Sequence, residues 1–331
     1  MAIIWLGVLS GPSLRAATTT ADWEIAKIDG LDYVSLASLK RFYSFTNFTR
    51  SGSHITLENA KVEMKLVLGG NECLMNGVKF VFTYPITSLG DKLFVSRMDL
   101  AKLIDPVLRP NFIKNAGNFR TVILDPGHGG KDAGATNPLG TEANYNLKVA
   151  GQVKALLQAR GFKVVMTRET NVFLTLQERV NLANAISENA VFVCIHFNSG
   201  GREARGIETF TLSPPGVSHY GRGPIPADNQ ARTGNEHDSA NIALATSVHG
   251  SILRRLQNNT FDRGIKHARF NVLSGVRHPA ILLEGGFLSH AYEARLIEKP
   301  EYQNALAKGV VEAIEKYRYA VNPRPPVSGF N

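Results

Sequence analysis

Two histidines and two glutamates in this chain stand where a sheet would aim them at one point. His128 follows the apolar run Thr121–Leu124 on an Asp125-Pro126-Gly127 turn and is backed by Gly129 and Gly130. His196 ends the apolar run that begins at Ala190, and Glu284 ends another that begins at Pro279. Glu142 opens a helical stretch reached through the loop Lys131–Thr141. In an open α/β sheet, ligands bind beyond the carboxyl ends of the strands. Two imidazoles and one carboxylate make a zinc donor set that leaves a fourth position for water. The other carboxylate is then free to act as the general base of a hydrolysis. Gly127, Gly129 and Gly130 are read as giving the backbone positive φ and leaving the imidazole uncovered.

Rival donors have simpler readings. Asp125 could ligate, but Asp-Pro-Gly caps turns. Cys194 shares a strand face with His196, two residues on, and reads as a buried packing residue. His54, His219, His237, His249, His267, His278 and His290 read as surface or helix positions; His290, six residues beyond Glu284, is the strongest rival among them.

The elements that must hold these residues follow from the pattern. Between 120 and 319 apolar runs of strand length alternate with helical periodicity, which indicates an α/β fold with an open, mostly parallel sheet flanked by helices. The strands are Thr121–Asp125, Lys163–Thr167, Ala190–His196, Gly206–Leu212 and Pro279–Glu284. The helices are Asn144–Arg160, a stretch opened by the capping box Thr175/Glu178, Ile242–Leu256 and Tyr302–Tyr317. Residues 22–108 form a small α+β domain of short strands, with a hairpin turn at Asn76-Gly77. Residues 109–119 read as a linker, and 320–331, with Pro323, Pro325 and Pro326, as a disordered tail. Residues 1–17 resemble a signal peptide, though without a basic start, so the protein is expected to be exported to the periplasm or cell exterior. No run approaches the ~20 apolar residues of a spanning helix.

At 331 residues and 44% hydrophobic content, the chain can build two globular cores. Its formal charge of +9 favours anionic partners such as acidic wall polymers. No basic run interleaved with aromatics appears, so nucleic acid is the weakest of the anionic partners and none is expected. Two cysteines, Cys73 and Cys194, do not make a disulfide framework.

Six motifs occur in order: DPGHGGKDAGA from Asp125 with Glu142 after it, TRET from Thr167 with LQER at Leu176–Arg179, CIHFNS from Cys194, GIETF from Gly206, RGIK from Arg263 and PAILLEGGFLS from Pro279. Together they resemble the N-acetylmuramoyl-L-alanine amidase family of zinc hydrolases over residues 121–318. The resemblance implies that His128, Glu142 and His196 hold Zn2+ and that Glu284 is the catalytic glutamate. It implies cleavage of the amide joining muramic acid to L-alanine in peptidoglycan, with Asn198 and Arg168 shaping the site. Ala143, Ala190, Cys194 and His290 depart from the usual pattern and bear on specificity. Residues 22–108 resemble the copper amine oxidase N-terminal-like domain, which does not imply copper here but implies an accessory role, binding wall or a protein activator; a plain folding spacer is the competing reading. The loop Ser213–Asp238, taken to leave a strand near the active rim, is expected to be a lid or a glycan contact. The competing readings are a related zinc peptidase or deacetylase on wall substrates, and a non-catalytic wall-binding protein.

Overall fold

The computed structural model describes residues 23–322 except 114, 115 and 117. The expected signal segment and most of the expected tail lie outside the described residues.

The N-terminal unit runs β1 (Ile25–Ile28), β2 (Leu31–Ser35), α1 (Leu36–Phe42), β3 (Asn47–Ser51), β4 (His54–Glu58), β5 (Glu63–Val67), β6 (Glu72–Met75), β7 (Val78–Val81), β8 (Thr87–Leu89) and β9 (Lys92–Ser96). A helical segment follows as α2 (Arg97–Asp99), a π-turn over Leu100–Ile104 and α3 (Asp105–Leu108). The Asn76-Gly77 turn takes positive φ at both residues, 50° and 77°, as a tight hairpin between β6 and β7 requires.

The second half runs β10 (Thr121–Pro126), the small hairpin β11 (Thr136–Asn137) and β12 (Gly140–Thr141), α4 (Glu142–Gln158), β13 (Lys163–Met166), α5 (Leu176–Asn184), β14 (Ala190–Asn198) and β15 (Ile207–Leu212). It continues through α6 (Asp238–Leu256), β16 (Asp262–Ala268), α7 (Asn271–Gly275), β17 (Ala280–Phe287), α8 (Ala291–Glu298) and α9 (Pro300–Val321). Thr175 and Glu178 cap α5 reciprocally, as expected. β16 and α8 were not read as elements from the sequence: β16 carries Asp262, Arg263, Lys266 and His267, so apolar pattern does not reveal it. α9 extends through Val321, which is buried, into the segment expected to be a tail.

The strands from both halves join one eleven-stranded sheet in the order β13-β10-β14-β17-β15-β16-β7-β6-β5-β4-β3. Around the site the pairings β13-β10, β10-β14, β14-β17 and β15-β16 are parallel and β15-β17 is antiparallel. The sheet then passes through a parallel β16-β7 contact at Ile265 and Phe80 into antiparallel meander. It is therefore mixed as a whole, within an α/β architecture. The core does not stop at the linker either, because Leu57, Met64, Phe80 and Phe82 share one buried cluster with Val248, Ile252 and Val310.

That cluster fills the sheet face covered by α4, α6 and α9. The opposite face has a smaller core under α5 and α7, built on Phe192, Cys194, Phe210 and Leu282. Two residues further along β14 and β17, and two residues earlier on the antiparallel β15, the same face turns polar, at His196, Glu284 and Glu208. A period of two places successive odd or even residues on one face, so this step marks where packing ends and a site begins.

The antiparallel course of β15 corrects the expectation for Ser213–Asp238. Glu208 pairs with Glu284 and Phe210 with Leu282, so Leu212 ends beside the start of β17, at the rim opposite His128 and Glu284. The segment is organised by Arg269, which donates to the carbonyls of Pro214 and Val217 at 3.0 Å and pairs with the buried Asp228 at 2.9 Å. Two 3-10 turns, Pro226–Asn229 and Thr233–His237, complete it.

Candidate active site

β10 is buried along its whole length and delivers His128 to the rim. The residue with strained backbone is the histidine itself, at φ 58°, in the left-handed region that costs a side-chain-bearing residue about 1–2 kcal/mol. Two buried arginines hold that turn. Arg179 donates to Asp125 Oδ1, to the Pro126 carbonyl and to the His128 carbonyl, each at 2.8 Å. Arg168 donates to the carbonyls of Pro126 at 2.9 Å, Gly127 at 2.8 Å and Ala143 at 2.8 Å, tying the turn to the start of α4. Gly127 does not take positive φ; it is needed because a Cβ there would lie 2.1 Å from the His196 ring.

His128, Glu142 and His196 come together. Thr141 caps α4 and puts Glu142 in its first turn, almost fully buried. Glu142 Oε1 lies 2.7 Å from His196 Nδ1 and 3.2 Å from His128 Nε2, while Oε2 accepts from the Ala135 amide at 2.9 Å. The imidazoles stand edge to face, with centroids 4.9 Å apart. One donor atom from each of the three lies within 4.8 Å of the others. Metal–ligand bonds of ~2.0–2.1 Å at tetrahedral angles imply donor separations of about 3.3 Å, so both the donor types and their spacing fit a zinc ion. His128 Nδ1 is hydrogen-bonded at 2.8 Å to Asp132 Oδ2, which leaves Nε2 facing the other donors. Sequence reasoning did not single out Asp132; its signal was an acid four residues after the histidine on a glycine loop.

The electrostatics follow. The hydrogen bond with Glu142 outweighs burial and raises the His128 pKa above the ordinary imidazole value. Burial alone would raise the Glu142 carboxyl, but hydrogen bonds from His128 and His196 hold it well below the usual range. Glu284 is the opposite case: burial first, then the charges of Glu142 and Glu208, push its carboxyl well above the ordinary value. Its Oε2 is buried and has no hydrogen-bond partner among the described residues. Glu284 pairs in register with His196 on one side and Glu208 on the other, so one carboxyl remains uncommitted beside the three-donor group.

The rivals are otherwise engaged. Asp125 binds Arg179, accepts from Thr167 Oγ1 at 2.5 Å and accepts from Cys194 Sγ at 3.1 Å, so it anchors the turn. Burial drives the Cys194 thiol well up, and both cysteines are free. His290 caps α8, its Nδ1 accepting from the Glu293 amide at 3.3 Å. His249 lies on helix α6, as read, and is buried between Thr209 Oγ1 and Asp262 Oδ1, at 2.9 Å from each, whereas His267 and His278 are buried and on neither surface nor helix. Sequence reasoning also gave no role to the cluster on Glu208. Its carboxylate accepts from Arg263 Nε at 2.7 Å, Lys266 Nζ at 2.5 Å and Asn198 Nδ2 at 2.8 Å. Charged residues inside the otherwise strand-like GIETF and RGIK runs were the available signal.

Comparison with known proteins agrees with this arrangement. A model of the N-acetylmuramoyl-L-alanine amidase family matches residues 122–316. The uncharacterized protein YqiI of Bacillus subtilis (strain 168) is 33% identical over 198 residues, which cover 60% of this chain and 84% of YqiI. The N-acetylmuramoyl-L-alanine amidase LytC of the same organism is 30% identical over 207 residues, 62% of this chain but 37% of LytC. The solved N-acetylmuramoyl-L-alanine amidase of Clostridium difficile 630 superposes with a TM-score of 0.51 at 31% identity, covering 63% of this chain and all of that one. With more than half its length matched by the family model, this chain, which brings His128, Glu142 and His196 together, belongs to the N-acetylmuramoyl-L-alanine amidase family.

Proposed function

We propose that this protein is a zinc-dependent hydrolase of the amide between N-acetylmuramic acid and L-alanine in peptidoglycan, acting outside the cytoplasm in wall remodelling or division. The observation that carries the reading is the convergence of His128 Nε2, Glu142 Oε1 and His196 Nδ1 beside a carboxyl, Glu284, that no hydrogen bond occupies at Oε2. His128, Glu142 and His196 would hold the ion. Zinc bound there supplies Lewis-acid character toward the scissile carbonyl and the attacking water.

The protein's own groups do the rest. Asp132 fixes the His128 tautomer and ring orientation. Glu284 takes the proton of the attacking water and returns it to the leaving nitrogen of L-alanine. A carboxyl with elevated proton affinity suits that second transfer, because an acid releases its proton best when its pKa lies near the working pH. Arg168 and Arg179 hold the turn so that the donors do not have to be ordered at the moment of binding. For the N-terminal unit we retain the accessory role, contact with wall or a protein activator, because its strands extend the catalytic sheet.

The test is product analysis on purified sacculi. The amidase reading requires release of peptides with a free L-alanine amino terminus from intact glycan. Activity should be lost on chelation and restored by zinc. Release of acetate, or of peptide fragments cut within the stem, would instead establish the deacetylase or peptidase reading.

A further inference from the structure

Past Glu208, the residue paired with Glu284, the sheet bears a cleft whose walls come from both halves of the chain: Lys79 and Glu72 from the N-terminal unit, Arg205 from the β14–β15 loop and Arg263 from β16. We propose that Arg205 and Arg263 bind a carboxylate on the peptide side of the scissile amide, making this cleft a specificity subsite. The inference rests on the amidase reading.

Three observations carry it. First, the cleft is coupled to the reacting centre: Glu208 lies directly across from Glu284 in an antiparallel pair, where opposed residues stand about 4.5–5.5 Å apart. Glu208 in turn holds Arg263 through Nε at 2.7 Å. Second, the two guanidiniums have donors left over. Arg263 commits Nε to Glu208, and its two Nη groups make no hydrogen bond among the described residues. The Arg205 guanidinium makes neither a hydrogen bond nor an ion pair there. Third, both are held by aromatic faces, Arg205 over Phe261 at 4.1 Å and Arg263 over Phe287 at 4.9 Å. Stacking fixes the plane of the fork and leaves its edge to receive a carboxylate in two parallel hydrogen bonds.

The lysines and Asp262 of the cleft are already engaged. Lys79 pairs with Glu72 at 3.0 Å, and Lys266 with Glu208. Asp262 accepts from the Lys79 and Gly264 amides. Glu203 also lines the cleft and opposes an anion, so the binding relies on the directed donors rather than on net charge. The substrate side follows from chemistry. Once the lactyl carboxyl of muramic acid is in amide linkage the glycan strand is uncharged, whereas the stem peptide carries carboxylates. A guanidinium pair next to the hydrolytic centre therefore matches the peptide.

The experiment uses the full-length zinc-loaded enzyme and two muramoyl-peptides that differ only in the carboxyl group of the residue after L-alanine, free acid in one and primary amide in the other. The acid should be preferred by about 10- to 100-fold in kcat/KM, the range set by hydrogen bonds to a charged group. Arg263→Gln and Arg205→Leu should each bring that ratio toward one. Arg205 lies on a loop and stacks on Phe261 without a hydrogen bond or ion pair among the described residues, so Arg205→Leu keeps the test valid where Arg263→Gln unfolds. A ratio near one in the wild type, or a ratio unchanged in Arg205→Leu, overturns the subsite and leaves the amidase reading standing. Failure to hydrolyse either substrate overturns both.

Discussion

Removing the Arg179 side chain tests how the histidine turn is held. Arg179 and Asp125 are 3% and 1% exposed and meet at 2.8 Å, so neither charge is solvated by water. Arg179→Met keeps most of the buried volume and deletes the guanidinium. Asp125 retains only the hydroxyl of Thr167 and the thiol of Cys194, and the carbonyls of Pro126 and His128 lose a donor each. Breaking a buried pair from one side costs about 3–5 kcal/mol, because an uncompensated charge stays behind. That is a large share of the ~5–15 kcal/mol that holds a protein folded. The strained φ of His128 is also no longer held, so zinc affinity should fall by about 10- to 100-fold, the usual effect of losing a group that orients a ligand. Urea unfolding of the zinc-free protein measures the first effect and competition with a chromogenic chelator the second. Adding Asp125→Asn to Arg179→Met should recover about 1–3 kcal/mol, since the orphaned charge is the main cost. A single-variant cost below ~1 kcal/mol, or a double variant whose two costs simply add, would refute the view that this pair locks the turn.

Three further outcomes are expected. Glu284→Gln should keep zinc at wild-type stoichiometry while lowering amide hydrolysis by about 10²–10⁴-fold; full activity would remove Glu284 from the mechanism. Gly127→Ala should displace the His196 ring, because the new Cβ would sit 2.1 Å from it, and weaken zinc binding by about 100-fold or more. Gly151→Ala, in the interior of α4 with open space at its Cβ, should instead stabilise by ~0.5–1 kcal/mol, and equal effects of the two would discredit the contact argument. In the zinc-free protein, the stability contributed by the His128–Glu142 pair should be fullest between about pH 4.5 and 6.5. The raised His128 pKa contributes stability below ~6.5 that is lost as pH rises through the folded value, and the lowered Glu142 pKa contributes stability above ~4.5 that is lost as pH falls through its folded value. His128→Ala should flatten the alkaline decline in the urea midpoint; an unchanged decline would place its source elsewhere.

Much of the site was legible because its residues interrupt patterns. A histidine after Thr121–Leu124, another after Ala190–Ile195 and a glutamate after Pro279–Leu283 are polar ends on apolar strands, and the structure brings all three to one rim. What stayed hidden depended on partners that periodicity does not encode. The direction of β15 is one such case. GIETF gives a strand but not its sense, and only pairing with β17 shows that Ser213–Asp238 departs from the far rim. Asp132 is another, since an acid in a glycine loop announces nothing until His128 turns through positive φ to meet it. The role of Gly127 was misread for the same reason. A glycine's need for space depends on what approaches it, here an imidazole from a strand about seventy residues away.

The seam between the halves shows why a boundary in sequence need not be a boundary in structure. Composition shifts at residues 109–119, and the family match begins only at Val122. Yet β7 lies alongside β16, and the bond across that seam is polar and buried on one side. The Lys79 amide donates to Asp262 Oδ2 at 2.8 Å, while Asp262 Oδ1 meets His249 Nε2 at 2.9 Å and His249 Nδ1 meets Thr209 Oγ1 at 2.9 Å. A continuous set of hydrogen bonds therefore runs from the N-terminal unit to Thr209, the chain neighbour of Glu208 on β15. His249 and Thr209 are fully buried, and replacing His249 takes away the Thr209 hydroxyl's partner, a penalty of about 1–3 kcal/mol, while Asp262 keeps the Lys79 and Gly264 amides. A freely tethered accessory module would have no use for such a joint. A unit that supplies Lys79 and Glu72 to one wall of the substrate cleft needs a fixed position, and this joint provides it.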